Sequence, residues 1–279
     1  MTALTWGHHT IIQALMYRGP LKNEEIGAVF TAVSGKQPGG HEFSDYLLKI
    51  NKELLFFQLE LRCCRDQNDG EIYYGIVNNV PDDQSKFGTA YSVPQIAFFK
   101  GILEAIVDNS TPQGTISTFH ALNINLDSQV GAESQSESNS VQVPAALRNF
   151  TMSQKEKTIE ELVQDKWLCR PSDGDIGLGP RSYLDLRSWF LHSGLPSCSV
   201  CNEVGFQAER CQSDGCDVRF HRYCLKEKIS QNKGRFICDN CGVLWRTTFS
   251  GAQEDENTTR EVPNRTSYEQ KRGKRKKSS

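Results

Sequence analysis

The chain has 279 residues, a formal net charge of −2 at pH 7, 37% hydrophobic residues and ten cysteines. This length allows two or three small domains, and no run of 18 apolar residues predicts a membrane-spanning helix. The first twelve residues contain His8 and His9 where a secretory signal needs an apolar core. We therefore expect a reducing compartment, the cytosol or the nucleus.

Residues 5–80 are predicted to form a winged-helix domain, because three helices precede a strand hairpin. Apolar residues recur at helical spacing in three segments: 10–17, 23–33 and 42–54. Strict alternation of apolar and polar residues then replaces that spacing over 57–61. An Asn-Asp-Gly turn at 68–70 leads to a second apolar segment, 72–77, which completes the hairpin.

The same order recurs in residues 90–192, which we predict to be a second winged-helix domain. Four segments are predicted to be helical: 96–106, 115–122, 153–163 and 182–191. Ser153 and Glu156 have capping-box spacing, and a turn at 172–175 separates two short strands. Residues 125–142, rich in Ser, Gln and Glu, are predicted to be a disordered insertion. The alternative is one undifferentiated α+β domain.

Seven cysteines and one histidine follow within residues 195–245, the predicted zinc module. The candidate ligands are Cys198, Cys201, Cys211, Cys216, His221, Cys224, Cys238 and Cys241. Eight soft ligands in close pairs suit two tetrahedral zinc ions. The segment has few large apolar residues, so the metals, at about 10–16 kcal/mol each, would supply its folding free energy. Disulfides and scattered free thiols are the alternatives, but disulfides need an oxidising compartment.

Charge predicts protein partners rather than duplex DNA. The third predicted helix, 42–54, has acids and lysines in near balance, whereas DNA binding requires an excess of cations to neutralise phosphates. The predicted disordered tail, 250–279, is different, because six of its last nine residues are Lys or Arg. This basic cluster resembles a nuclear localisation signal; non-specific nucleic-acid contact, or a solvated tail without a role, is the alternative.

Catalytic and cofactor-binding side chains are not predicted anywhere in the chain. The eight zinc ligands fill both coordination shells, which leaves neither ion an open position for hydrolytic chemistry. The predicted fold class is therefore α+β: two tandem winged-helix domains followed by a small two-zinc RING/PHD-like module. Such a protein would act by binding partners.

The ligand order of four cysteines, one histidine and three cysteines is shared by PHD fingers and a RING variant. Combined with two winged helices, Trp167-Leu168 and the 178–181 segment (Leu-Gly-Pro-Arg), it resembles the non-SMC element 1 family. That family is the RING-type subunit of the structural maintenance of chromosomes 5/6 complex. The resemblance implies interleaved sites: Cys198, Cys201, His221 and Cys224 hold one ion, and Cys211, Cys216, Cys238 and Cys241 the other.

The resemblance also implies a nuclear protein of DNA repair and recombination. Its partners would be the MAGE-like non-SMC element 3, the kleisin element 4 and a ubiquitin-conjugating enzyme. It would act as a RING-type ubiquitin ligase. RING ligases commonly carry Pro after the seventh ligand and Arg or Lys after the eighth, where this chain has Asp239 and Gly242. RING ligases also carry an apolar residue between the first two ligands, which contacts the conjugating enzyme, and this chain has Val200 there. Activity is therefore expected to be weak or partner-dependent.

Two alternatives stay open at this stage. A PHD-like reader of histone tails would need aromatic side chains around a methyl-lysine, and Phe206 and Phe220 are the candidates. Phe236 occupies the place where PHD fingers usually have Trp. The other alternative is a zinc interaction module without enzymatic activity.

Overall fold

The computed structural model describes residues 3–80, 91–108, 114–126, 145–172, 174–232 and 235–245. It is a mixed α+β structure, as predicted. Within these residues, no helix has both the length and the apolar character required to cross a bilayer. The basic tail and nearly all of the predicted insertion lie outside the described residues. Leu126, the second residue of the predicted insertion 125–142, is instead buried in the core of the second module, so the packed chain extends into the predicted insertion as far as Leu126.

The first module contains three helices and a three-stranded antiparallel sheet. Its elements are α1 (Trp6–Arg18), β1 (Leu21–Lys22), α2 (Asn23–Ser34), α3 (His41–Leu54), a 3-10 turn (Leu55–Phe57), β2 (Leu59–Arg65) and β3 (Ile72–Asn78). β3 lies between β1 and β2 in the sheet. The predicted helices and hairpin are confirmed, but β1 was missed. Its two residues, Leu21 and Lys22, pair with Tyr74 and Tyr73.

The core of the first module follows the helical stripes that the sequence predicts. Ile11 of α1, Ile26 of α2 and Ile50 of α3 are fully buried against one another and against Leu61 of the sheet. Gly35 ends α2 in the left-handed conformation that favours glycine, and its N–H donates to Thr31 O. Residues of the three helices and of the hairpin share this one core.

The second module repeats this order. Its elements are α4 (Val93–Asp108), β4 (Thr115–Ser117), α5 (Thr118–Leu122), α6 (Ala145–Arg148), α7 (Met152–Gln164), β5 (Leu168–Cys169), β6 (Asp175–Leu178), α8 (Pro180–Asp185) and α9 (Arg187–His192). β6 lies between β4 and β5, which matches the order in the first module. Trp167, Phe98 and Phe99 are the largest fully buried side chains in its core.

Three sequence predictions for the second module are corrected. Residues 115–122 form a strand and then a helix, because Ile116 pairs with Ile176 and Ser117 caps α5. The capping box is Thr151 with Gln154, two residues before the predicted pair, because α7 begins at Met152. The predicted last helix, 182–191, is two short helices that meet at Leu186.

The first module packs on the second through its sheet. Arg62 Nη1 of β2 donates to Leu184 O of α8 at 3.0 Å, and Lys166 Nζ donates to Pro20 O. Gly75 of β3 faces Leu184, and a Cβ there would lie 2.8 Å from Leu184 Cδ1. A side chain at position 75 would therefore require the Leu184 side chain to move.

Asp185 gives this contact a pH-dependent stability. Burial raises the pKa of Asp185 to about 6, despite Arg181 Nε at 3.6 Å, against about 3.9 in an unfolded chain. The folded carboxyl binds a proton more readily, so its contribution to stability is full below pH 4 and is lost as pH rises through 6. Asp185→Asn should therefore raise the free energy of unfolding by about 1–3 kcal/mol at pH 7.5.

Denaturant titration at pH 7.5 and pH 4.5 checks this prediction, with the exposed Asp45→Asn as the matched control. The gain from Asp185→Asn should shrink at the lower pH, while protonation of the zinc ligands affects every variant alike. Equal gains at both pH values would contradict it.

Candidate metal centre

The zinc module, residues 195–245, contains little regular structure. In the part that the structure describes, two two-residue strands, β7 (Glu209–Arg210) and β8 (Arg219–Phe220), precede one helix, α10 (Arg222–Gln231). Its buried core is small. The Phe220 ring meets the rings of Phe236 and Trp245 edge to face, those two rings are tilted against each other, and Leu225 belongs to the same cluster. A core of this size is unable to fix the many turns of the module without further cross-links.

A tight turn presents the first pair of cysteines. Cys198 N donates to Glu203 O at 2.9 Å, and Asn202 N donates to Cys198 O at 2.8 Å. Asn202 takes a left-handed φ of 58°, which Asn adopts more readily than most residues. Cys198 and Cys201 therefore direct their sulfurs to one side of the turn.

An equivalent turn presents the last pair. Cys238 N donates to Val243 O at 3.0 Å, and Gly242 N donates to Cys238 O at 2.9 Å, with a φ of 70° at Gly242. Gly242 thus occupies the position that Asn202 has in the first turn. The left-handed backbone gives a physical reason for glycine where RING ligases commonly have Arg or Lys, since a β-carbon there costs about 1–2 kcal/mol.

The first cluster consists of Cys198, Cys201, His221 and Cys224. Their ligand atoms all lie within 4.8 Å of one another. His221 Nδ1 is 3.3 Å from Cys201 Sγ and 4.0 Å from Cys224 Sγ. The opposite ring nitrogen, Nε2, lies 3.0 Å from Val204 O. An N–H at Nε2 leaves the lone pair on Nδ1, facing the three sulfurs, as a metal ligand requires.

The second cluster consists of Cys211, Cys216, Cys238 and Cys241, and its sulfurs also lie within 4.8 Å of one another. Cys211 Sγ is 3.5 Å from Cys241 Sγ, and Cys216 Sγ is 3.8 Å from Cys238 Sγ. Asn240 Nδ2 donates to Cys216 Sγ at 3.5 Å. Four sulfurs at these separations fit a closed tetrahedral zinc site.

The two clusters are interleaved along the chain, in the arrangement that the family resemblance implies. Burial raises the pKa of Cys224 to about 11 and that of Cys211 to about 12. Zinc binds thiolates, so loading these sites releases protons and the affinity depends on pH. The eight residues fit two zinc ions, which is the cofactor content predicted from the sequence.

The remaining candidate residues are placed differently. Val200 is half-buried and lines a cleft of about 310 Å³ where the zinc module meets both other modules. Phe220 is buried in the zinc-module core, and Phe206 packs against Phe190 with ring centroids 5.5 Å apart. Both aromatic candidates for a methyl-lysine cage therefore pack in cores. Asp239 is exposed.

Sequence reasoning missed the residues around the ligands. Three of them lie in the zinc module and contact the two clusters: Val204, Tyr223 and Asn240. Two more lie in the first module, where Arg65 contacts Tyr223 and Gln67 contacts Val204. Gln67 and Val204 are 137 positions apart, and neither has a ligand-type side chain. A single sequence, read without an alignment, holds no signal for such contacts.

The mixed α+β fold and the two ligand clusters define a RING-like zinc protein. The model of the RING-like domain family matches residues 198–241. A second model, of Nse1, the non-SMC component of the SMC5-6 complex, matches residues 8–186, more than half of the chain. The chain belongs to this Nse1 family, which confirms the resemblance read from its sequence.

Individual relatives agree with this assignment. The chain is 24% identical to the non-structural maintenance of chromosomes element 1 homolog of Rattus norvegicus, covering 87% of this chain and 85% of the relative. It is 23% identical to the Homo sapiens homolog, with 88% and 86% covered. A chain of a solved Nse1-Nse3-Nse4 complex has a TM-score of 0.67 at 22% identity, covering 88% of this chain and 99% of that one.

Proposed function

We propose that this protein is a subunit of an SMC5/6 complex that joins an Nse3-like and an Nse4-like subunit and acts as a RING-type ubiquitin ligase. The observation that carries the proposal is the pair of four-ligand clusters in a RING-like domain, within a chain of the Nse1 family. The structural relative was solved in an Nse1-Nse3-Nse4 complex, which supports these two partners. Its proposed setting is the nucleus, in DNA repair and recombination, with the basic cluster 271–277 as the import signal.

We further propose that the first two modules are winged helices, covering residues 5–80 and 90–192. Each has a helix, a short strand, further helices and a hairpin, and in each the last strand of the hairpin lies in the middle. In the first module Lys36 and Glu42 form an ion pair near the start of α3, and Lys49 Nζ donates to Ala3 O. Cations already engaged within the protein favour a protein partner over DNA phosphates.

An exposed apolar tip supports the same conclusion. It consists of Leu55, Phe56 and Phe57, which are 61%, 85% and 67% exposed at the end of α3. The rings of Phe56 and Phe57 lie 5.3 Å apart, and Gln58 closes the turn with a left-handed φ of 56°. Contiguous aromatic surface of this kind marks protein interaction sites. We assign the tip to the Nse3-like subunit.

The zinc ions have a structural role in this proposal. Every tetrahedral position is filled by a protein ligand, so the metals shape the surface that binds a conjugating enzyme. The ligase would hold the enzyme–ubiquitin thioester in a reactive geometry and contribute no nucleophile. Val200 is the apolar contact for the enzyme, whereas Asp239 and Gly242 lack the contacts that strong ligases make. These residues account for a low intrinsic activity, which we propose the Nse3-like partner raises.

Discharge of ubiquitin from a charged conjugating enzyme to free lysine tests the ligase. The full chain with its Nse3-like partner should accelerate discharge, and Val200→Ser should reduce that acceleration about tenfold, because the enzyme loses an apolar contact. Val93→Ser, an exposed valine on the second module, is the matched control and should have no effect. Zinc content is measured in each variant. Failure to accelerate discharge with a panel of conjugating enzymes, with two zinc ions bound, would leave a non-catalytic scaffold.

A further inference from the structure

The turn between β2 and β3 of the first module lies against the first zinc-ligand cluster. We call residues 66–70 the wing turn. Gln67 Nε2 donates to Val204 O at 2.6 Å, and Gln207 N donates to Gln67 Oε1 at 3.0 Å. Val204 O is also the oxygen that lies 3.0 Å from His221 Nε2. One carbonyl, with its two lone pairs, therefore joins the wing turn to a zinc ligand.

A second contact reaches the same histidine through the face of its ring. The guanidinium of Arg65, the last residue of β2, lies 4.9 Å from the centre of the Tyr223 ring. Tyr223 in turn stacks on the His221 imidazole, with ring centroids 4.8 Å apart and an angle of 17° between the planes. The imidazole is thus fixed at its edge by the carbonyl and on its face by the tyrosine.

The wing turn is itself held rigidly, which such a role requires. Asp66 is buried, and its Oδ1 accepts from Asn68 N at 2.6 Å. Its backbone N donates to Glu71 O at 2.9 Å, and Gly70 N donates to Asp66 O at 3.0 Å. Asp69 is tied to the sheet by Tyr73 Oη at 3.0 Å. Gln67 therefore projects from a turn whose backbone has little freedom.

We propose that Gln67 and Arg65 are positioning residues for the zinc ligand His221, acting through Val204 and Tyr223. Partners beyond the ligands fix tautomer and ring orientation, and losing one typically costs tenfold or more in metal affinity. Here the direct partners of His221, Val204 and Tyr223, lie in the zinc module, but the residues that contact them, Gln67 and Arg65, belong to the first module. The second cluster instead receives its outer hydrogen bond from its own turn, through Asn240. The two zinc sites therefore differ in their dependence on the first module.

This dependence links the first module to the zinc module energetically. A partner that shifts the wing turn on binding the first module alters zinc affinity at the first cluster, and zinc loading alters partner affinity by the same factor. The inference rests on zinc binding by His221 and is independent of ligase activity. A negative result in the ubiquitin assay would therefore leave this inference standing, and a negative result in the metal measurements below would leave the proposed ligase standing.

Metal retention in the full-length zinc-loaded protein tests the proposal. Gln67→Ala should speed release of one of the two zinc ions to a chromogenic chelator about tenfold, with the other changed less than about twofold. Substitution with NMR-active cadmium identifies the site, because the first cluster offers three sulfurs and a nitrogen, the second offers four sulfurs, and the two resonate separately. The signal of the first cluster should shift or broaden in Gln67→Ala and in Arg65→Ala, while Arg65→Lys should retain most of the wild-type signal.

Gln207→Ala is the matched control, because it removes a side-chain bond to Asn68 Oδ1 at the same seam and leaves the backbone donor to Gln67 in place. It should release both ions at wild-type rates. If Gln67→Ala accelerates both sites equally, the wing turn stabilises the module as a whole and the positioning role is wrong. Unchanged release in both Gln67→Ala and Arg65→Ala would also overturn it. Should Gln67→Ala fail to fold, Arg65→Ala decides by the same criteria.

Discussion

Replacing Cys201 by serine is expected to unfold the zinc module and to leave both helical modules folded. The wild-type protein should bind two zinc ions per chain, and the variant one or none, as measured by elemental analysis of freshly purified protein. Cys201 Sγ lies 3.3 Å from His221 Nδ1 within the first cluster, so its loss opens a closed site. Each structural zinc contributes about 10–16 kcal/mol to a fold of this kind.

The apolar core of the zinc module is unable to compensate for such a loss. Apart from cysteines, the buried residues of its core cluster are few: Phe220, Leu225, Phe236 and Trp245. Within the described residues, α10 is its only helix. The helical modules have their own cores around Ile50 and Trp167 and should retain their helical circular dichroism. The second module should nevertheless lose some stability, because Val204 belongs to its core.

Cys63→Ser is the matched control, since Cys63 is exposed in β2 and lies outside both clusters. It should keep two zinc ions and the wild-type unfolding curve. A wild-type protein that is folded with one zinc ion or none would contradict the assignment of the eight ligands. Retention of both ions by Cys201→Ser would contradict the membership of the first cluster.

The zinc sites were predictable because their information is local. Ligand pairs separated by two intervening residues indicate the turn at Cys198–Cys201 and again at Cys238–Cys241, and only the partition into two sets needs the fold or a family resemblance. The longer helices were predictable for a similar reason, since the stripes in α2 and α3 are long enough for their period to be read.

The missed features depend on distant residues. β1 and β4 have two and three residues, too few to show alternation, and they exist because β3 and β6 pair with them. The choice of Thr151 over Ser153 as the helix cap was ambiguous in the sequence, because both have Glu or Gln three residues later. The contact of Gln67 with Val204 depends on how separate modules pack. Local pattern therefore predicts the elements, whereas tertiary packing decides the environment of the metal ligands.

Phe56→Ser should weaken binding of the Nse3-like subunit at least thirtyfold. Phe56 is the most exposed member of the apolar tip, at 85%, and a buried aromatic anchor at an interface is worth about 2 kcal/mol or more. The substitution should leave the stability of the free protein within about 0.5 kcal/mol, because the ring has little to lose in the unbound chain. Calorimetric titration of the full chain with the purified partner measures the affinity.

Phe119→Ser is the matched control for this experiment. Phe119 lies on α5 of the second module and is 79% exposed, so the change removes an equally accessible ring from another place. Affinity unchanged by Phe119→Ser and lost with Phe56→Ser would assign the interface to the tip. If Phe119→Ser abolishes binding and Phe56→Ser does not, the interface lies on the second module. A double variant, Phe56→Ser with Phe57→Ser, should lower the affinity further, because the two rings contact each other and would fill one pocket of the partner.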